Sequence, residues 1–134
     1  VESYDFIVPG RAVSMQSSNR VAFRRWLDSV AVAAIEAAPL LPPFWEPNVR
    51  LTIVFFCPSK PIDVDNVIKP IQDTLSLIFY ADDEVVTDVD CHRRTFREGV
   101  DPKQLPPLLR EVWEERRECT YVRAQETSSL ETLL

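Results

Sequence analysis

Two aspartates, Asp63 and Asp65, flank a single valine and are followed by Asn66 and, four residues after Asp65, by Lys69. Side chains two apart in an extended chain point the same way, so Asp63 and Asp65 can converge on one point. Two carboxylates held together repel and raise each other's pKa. A divalent cation relieves that repulsion, and carboxylate oxygens are hard ligands that suit Mg²⁺ or Mn²⁺. Lys69 sits one turn beyond Asp65 if a helix has begun there, where it could meet a phosphate at the metal and stabilise developing charge. A second acidic pair, Asp82-Asp83, stands just before the next apolar stretch. If the strands behind these two segments are neighbours, the carboxylates share one edge. Three carboxylates, a lysine and a metal are the parts of metal-assisted phosphodiester cleavage.

Each piece alone has a plainer meaning. Asp-x-Asp also describes a pair of solvated loop acids, Asp82-Asp83 an ordinary turn, and Lys69 a surface lysine. The combination at the ends of two strands carries the metal-site reading. A calcium loop of the EF-hand type wants a ligand at its fifth position and glycine at its sixth, where Val67 and Ile68 stand. A haloacid-dehalogenase-like phosphatase has Asp-x-Asp-x-Val directly after an apolar strand. Here Pro58 to Ile62 intervene, and the chain is short for that fold and its cap.

The elements that must position these residues follow from hydrophobic period. Tyr4 to Val8 reads as a strand that stops at the Pro9-Gly10 turn. Arg11 to Ser18 is a polar loop. Asn19 caps a helix whose inner stripe is Phe23, Leu27, Val30, Ala31, Ala34, Ile35 and Ala38, ending before Pro39. Four prolines between Pro39 and Pro47 forbid regular structure. Val49 to Cys57 is almost continuously apolar, as a central strand would be. Asn66 to Ile78 predicts a second helix facing inward through Val67, Ile71, Leu75 and Ile78, with Pro70 tolerable only in a first turn. Glu84 to Phe96 alternates: Val85, Thr87, Val89 and Cys91 on one side, Val86, Asp88, Asp90, His92 and Arg94 on a wet one. Pro106 to Glu118 predicts a third helix with Leu105, Leu108, Leu109, Val112 and Trp113 inward, and Cys119 to Ala124 a closing strand. The expected fold is α+β (α/β): a small single domain over residues 1–124, with a mixed sheet of about four strands packed against two or three helices. Residues 125–134 are expected to form a flexible tail.

A chain of 134 residues with net charge −6 is a single domain with enough apolar content for a core. Net acidity argues against nucleic acid until the charge is located. The 28 residues from Asp63 to Asp90 hold eight acids and one base, a charge of −7, leaving +1 over the remainder. That remainder carries one basic cluster at Arg20, Arg24 and Arg25, another at Arg93, Arg94 and Arg97, and Lys60 beside the acidic motif. Each is a candidate for phosphate contact or an ordinary solvated face. His92 is the one histidine, a candidate base or a plain strand-face residue. Phe23 and Trp26 could probe opened DNA, though core packing explains them as well. Cys57, Cys91 and Cys119 are odd in number and widely spaced, which fits thiols in a reducing cytoplasm rather than disulfides or zinc ligands. No apolar run approaches a membrane span, and the first ten residues lack a signal-peptide pattern.

Asp63-Val-Asp-Asn-Val-Ile-Lys69, Asp73, Leu75 and Tyr80-Ala-Asp-Asp83-Glu-Val together resemble the RusA-type Holliday junction resolvases. Phe6-Ile-Val-Pro-Gly10, Asn19-Arg20 and Thr120-Tyr-Val-Arg123 are similar to that family's first strand, following loop and last strand. The resemblance implies a Mg²⁺-dependent endodeoxyribonuclease that works as a homodimer on four-way or branched DNA, nicking two strands symmetrically. It places Asp63, Asp65 and Asp83 on the family's essential acids, Lys69 on its essential lysine, and Asp82 on a neighbouring acid that is a further candidate ligand. Leu77 stands where the family often has glycine, and the chain is more acidic than most members. Two other readings stay open: a non-cleaving DNA-junction or metal-binding module on the same fold, and a flap or fork nuclease.

Overall fold

A computed structural model describes residues 2–58 and 63–134. In chain order the elements are β1 (Ser3–Pro9), α1 (Arg20–Ala37), β2 (Val49–Cys57), α2 (Asp65–Thr74), β3 (Val86–Thr95), α3 (Pro107–Glu115), β4 (Cys119–Glu126) and a single turn, α4 (Leu130–Leu133). Short 3₁₀ turns at Asp83–Val85 and Pro102–Gln104 precede β3 and α3. The strands form one mixed sheet in the order β1-β4-β2-β3. β4 runs antiparallel to both β1 and β2, and β2 pairs parallel with β3.

The expected α+β domain is therefore present, with three packed layers. Leu51, Ile53, Phe55 and Cys57 of β2 face α1 and α2, which bury Trp26, Val30 and Ala34, and Val67 and Ile71, with Leu75 just past the end of α2. Phe6, Val8, Val122, Ala124, Phe44, Phe79 and Tyr80 complete that layer. Phe56 points to the other face, where Leu109, Val112 and Trp113 of α3 pack with Cys119 and Tyr121. Covering on both faces explains why β2 is apolar at almost every position. Asn19 caps α1 as expected, its Oδ1 accepting from the Ala22 N–H at 3.0 Å. No helix among the described residues is long and apolar enough to cross a membrane. No disulfide joins Cys57, Cys91 and Cys119.

Several expectations need correction. Ile35 is 61% exposed, and Trp26, nine residues earlier and outside the expected stripe, is buried. Leu108 lies on the outer side of α3, which ends at Glu115 because Arg116 adopts a left-handed backbone. The second helix ends at Thr74, not Ile78. Leu77 has φ +69° and reverses the chain, its N–H bonding the Tyr80 carbonyl at 2.7 Å. β4 continues through Gln125 and Glu126, which pair with Arg50 and Val49.

Pro70 departs from expectation in a more consequential way. It is the sixth residue of α2, in the second turn, and it is buried. A residue there would normally donate to the carbonyl of Asn66, and proline has no N–H to give. The Met15 N–H takes that carbonyl instead, at 3.0 Å. The helix is thus interrupted without leaving an orphaned acceptor.

Leu77 is 73% exposed in a conformation that costs an L-residue roughly 1–2 kcal/mol. Leu77→Gly should remove that cost without losing buried surface. We expect a gain of about 0.5–1 kcal/mol and a Tm higher by about 2–4 °C in a thermal circular dichroism melt.

Candidate active site

β2 and β3 are parallel, so the chain must cross from the end of one to the start of the other, and α2 makes that crossing. Asp63 lies just before α2 and Asp65 is its first residue. The Asp63 Oδ1 accepts from the Asp65 N–H at 3.2 Å, which ties the two acids into one turn at the helix start. Both are exposed. Lys69 follows one turn along. Its ammonium donates to Asp83 Oδ2 at 2.7 Å and to Asp73 Oδ1 at 2.8 Å.

Asp83 is carried to α2 by the 3₁₀ turn before β3. Asp82 Oδ1 caps that turn by accepting from the Glu84 N–H at 3.1 Å. Val85 is buried behind it. The Gln72 side-chain amide donates to the Asp83 carbonyl at 3.4 Å, and the Tyr80 hydroxyl donates to the Gln72 carbonyl. The tyrosine hydroxyl's pKa is raised, first by burial and then by the charges of Asp73 and Asp83, so it stays a donor. Hydrogen bonds from Lys69 and from the Asp82 side hold the Asp83 carboxyl below the usual carboxylate range. Bonds to Asp73 and then Asp83 raise the Lys69 ammonium above its ordinary value.

The sequence-predicted residues thus divide. Lys69 and Asp83 meet directly, Asp63 and Asp65 share a turn, and Asp82 is engaged in capping. Among the described residues, no three His, Cys, Asp or Glu side chains gather to grip one metal ion. Mg²⁺ does not require three: it takes one or two carboxylates and keeps water and phosphate oxygens for its other positions. The exposed carboxylates of Asp63 and Asp65 fit that demand. Asp73 and Gln72 were not among the predicted site residues. The spacing of Asp73, four after Lys69, was the signal for it; Gln72 had none.

The basic candidates also separate. Cys91 faces the α1 and α2 layer, and its thiol is pushed up to about 11, chiefly by burial, with Asp65 adding to the rise and Arg93 opposing it. Arg93, opposite Phe55, shares that side of β3, which α2 and its first residue Asp65 cover. Arg94 is on the other face by strand alternation and contacts Glu98 at 3.5 Å. Asp88 and Asp90 share that other face, against Arg50 at 3.8 and 3.4 Å. The acidic stretch is therefore not one site, and Arg93 and Arg94 are not one cluster. Arg24 and Arg25 are exposed on α1. Arg20 stacks over Phe23, 4.6 Å from the ring centroid, and donates to the Met15 carbonyl at 2.6 Å. His92 is exposed on the edge strand β3. Lys60 lies outside the described residues.

Asp83's ion pair contributes stability above the ordinary carboxylate range, and loses it as pH falls through the depressed value. Lys69→Met should move the Asp83 titration upward, toward the ordinary carboxylate range, in a carbon-detected NMR titration without divalent metal. An unmoved Asp83 would show that the lysine does not hold it.

A search of curated proteins finds no match. The family model described as endodeoxyribonuclease RusA matches residues 11–103. The matched span takes in α1, β2, the whole crossing with Asp63, Asp65, Lys69 and Asp83, and β3. It stops short of β1 and β4, which the resemblance in sequence also included. With well over half its length matched, and the acids and lysine of the crossing inside the match, the chain belongs to the RusA family of endodeoxyribonucleases.

Proposed function

We propose that this chain is a Mg²⁺-dependent endonuclease that resolves four-way (Holliday) DNA junctions by paired nicks, as a homodimer acting in recombination and repair in the cytoplasm. The observation that carries the reading is the Lys69 ammonium, exposed and fixed by Asp83 and Asp73 one turn from Asp65. Asp63, Asp65 and Asp83 would hold the ion, with Asp82 beside them. Bound Mg²⁺ supplies an activated water and neutralises charge on the scissile phosphodiester. Lys69 adds a second positive group where the phosphate's charge develops, and Asp73 and Asp83 aim it. Arg20, Arg24, Arg25 and Arg93 would contact flanking phosphates from α1 and β3. Arg94 is turned to the opposite face of β3.

The test is cleavage of four-way, forked, flapped and linear duplex DNA with Mg²⁺ and with EDTA. Preference for the four-way junction supports the reading; equal cutting of flaps favours the fork nuclease, and binding without cutting favours the non-cleaving module. Asp63→Asn should abolish nicking while folding and junction affinity persist, and full activity in that variant would overturn the site. Lys69→Met should lower the cleavage rate by about 10²–10³-fold. Reversing charge at Arg24 and Arg25 should weaken binding and flatten its dependence on salt by about two phosphate contacts. An unchanged salt slope would remove α1 from the DNA footprint.

A further inference from the structure

The polar loop between β1 and α1 is built onto the candidate active site. Its Met15 N–H holds the Asn66 carbonyl that Pro70 leaves open, one residue from Asp65. From the other side Arg20 grips the loop through the Met15 carbonyl at 2.6 Å and the Ser17 carbonyl at 3.4 Å. Between this loop and α2 lies a cleft of about 330 Å³, lined by Ser14, Ser17, Ala12 and Val13 on one wall and by Asp63 and Val67 on the other. It is continuous with the carboxylates through Asp63.

The two serines are set up as donors. Ser14 Oγ accepts from the Gln16 N–H at 3.0 Å, and Ser17 Oγ accepts from the Asn19 N–H at 3.1 Å. Those bonds fix the oxygens and leave each hydroxyl proton to be given away. No carboxylate within the loop competes for them, since residues 11–18 contain no Asp or Glu. Arg11, which also lines the cleft, pairs with Glu118 at 2.9 Å. The loop wall facing Asp63 therefore offers the neutral donors of Ser14 and Ser17, beside an arginine whose charge Glu118 already offsets. That chemistry suits a phosphodiester that must be seated and then let go.

We propose that Ser14 and Ser17 form a second phosphate seat, receiving the phosphodiester next to the one cut and so setting which bond lies over Asp63 and Asp65. This rests on the nuclease reading for its substrate. A hydrogen bond to a charged oxygen is worth about tenfold in affinity, so losing the pair should cost tenfold or more.

The experiment measures Kd for a four-way DNA junction carrying an uncharged methylphosphonate at each backbone position near the branch in turn. Wild type should show a position, beside the nick, where the substitution weakens binding about tenfold. In Ser14→Ala/Ser17→Ala, binding to unmodified DNA should be weaker by that factor, and the sensitivity at that position should vanish. Ser14→Thr/Ser17→Thr, which keeps both hydroxyls, should behave as wild type. Arg20→Met, which releases the loop, should also lose the sensitivity at that position, whatever its overall affinity. If the double alanine protein does not fold, the single variants carry the same comparison. Retained sensitivity at every position in the alanine variants overturns the seat. Wild type that shows the serine-dependent position but cuts nothing would refute the nuclease reading and leave the seat standing. Cutting with no serine-dependent position would do the reverse.

Discussion

A parallel strand pair cannot be closed by a tight turn. It needs a crossover of a dozen or more residues that leaves one end of the sheet and returns to the other. In this fold β2 and β3 are such a pair, and α2 is the crossover helix. Asp63, Asp65, Lys69, Asp73 and Asp83 all belong to that excursion. The chemistry thus sits on a segment that the sheet requires for topological reasons and that β2, β3 and the α1 layer hold rigidly from behind. Val67 and Ile71 bury one side of α2, so the other side, carrying Asp65, Lys69 and Asp73, is left to solvent.

Placing six acids, Asp63, Asp65, Asp73, Asp82, Asp83 and Glu84, on one excursion creates a charge problem, which the fold solves by division. Lys69 joins Asp73 and Asp83. The acids of β3 are sent to the opposite face, where Arg50 lies between Asp88 and Asp90. Arg93 returns a positive charge to the side where Asp65 lies. Net acidity, which in composition looks hostile to DNA, is therefore distributed between a structural cluster behind the sheet and a site that leaves Asp63 and Asp65 exposed. The acids of both clusters lie within one stretch of chain, and the register of β3 on β2 turns Asp88 and Asp90 to the far face.

Pro70 shows how a local defect can serve a distant contact. A proline in the second turn of a ten-residue helix removes a backbone bond and would ordinarily be selected against. Here the carbonyl it strands becomes the attachment point for the loop after β1. The loop's position relative to Asp65 is then set by backbone hydrogen bonding, which is less variable than contact between side chains.

Much of this was legible in the sequence because it follows from period and adjacency. The apolar run of Val49 to Cys57 announces a central strand, the three- and four-residue recurrence after Asn19 announces α1, and the i, i+2 and i, i+4 spacings place Asp65 and Lys69 on one turn. The motifs around Asp63 to Lys69 and Tyr80 to Val85 carried the family. What adjacency cannot supply is the partner of each group across the fold. That Lys69 would turn to Asp83, fourteen residues away, depends on β3 lying beside β2. That Asp88 and Asp90 would leave the site depends on the register that sets them opposite Arg50 and Thr52. That Pro70 could stand in mid-helix depends on Met15, more than fifty residues earlier, reaching its orphaned acceptor. Local spacing determined which residues could do chemistry; the parallel register and the packing of the loop onto α2 decided which of them meet, because hydrogen bonds and ion pairs act over a few ångströms of space and not along the chain.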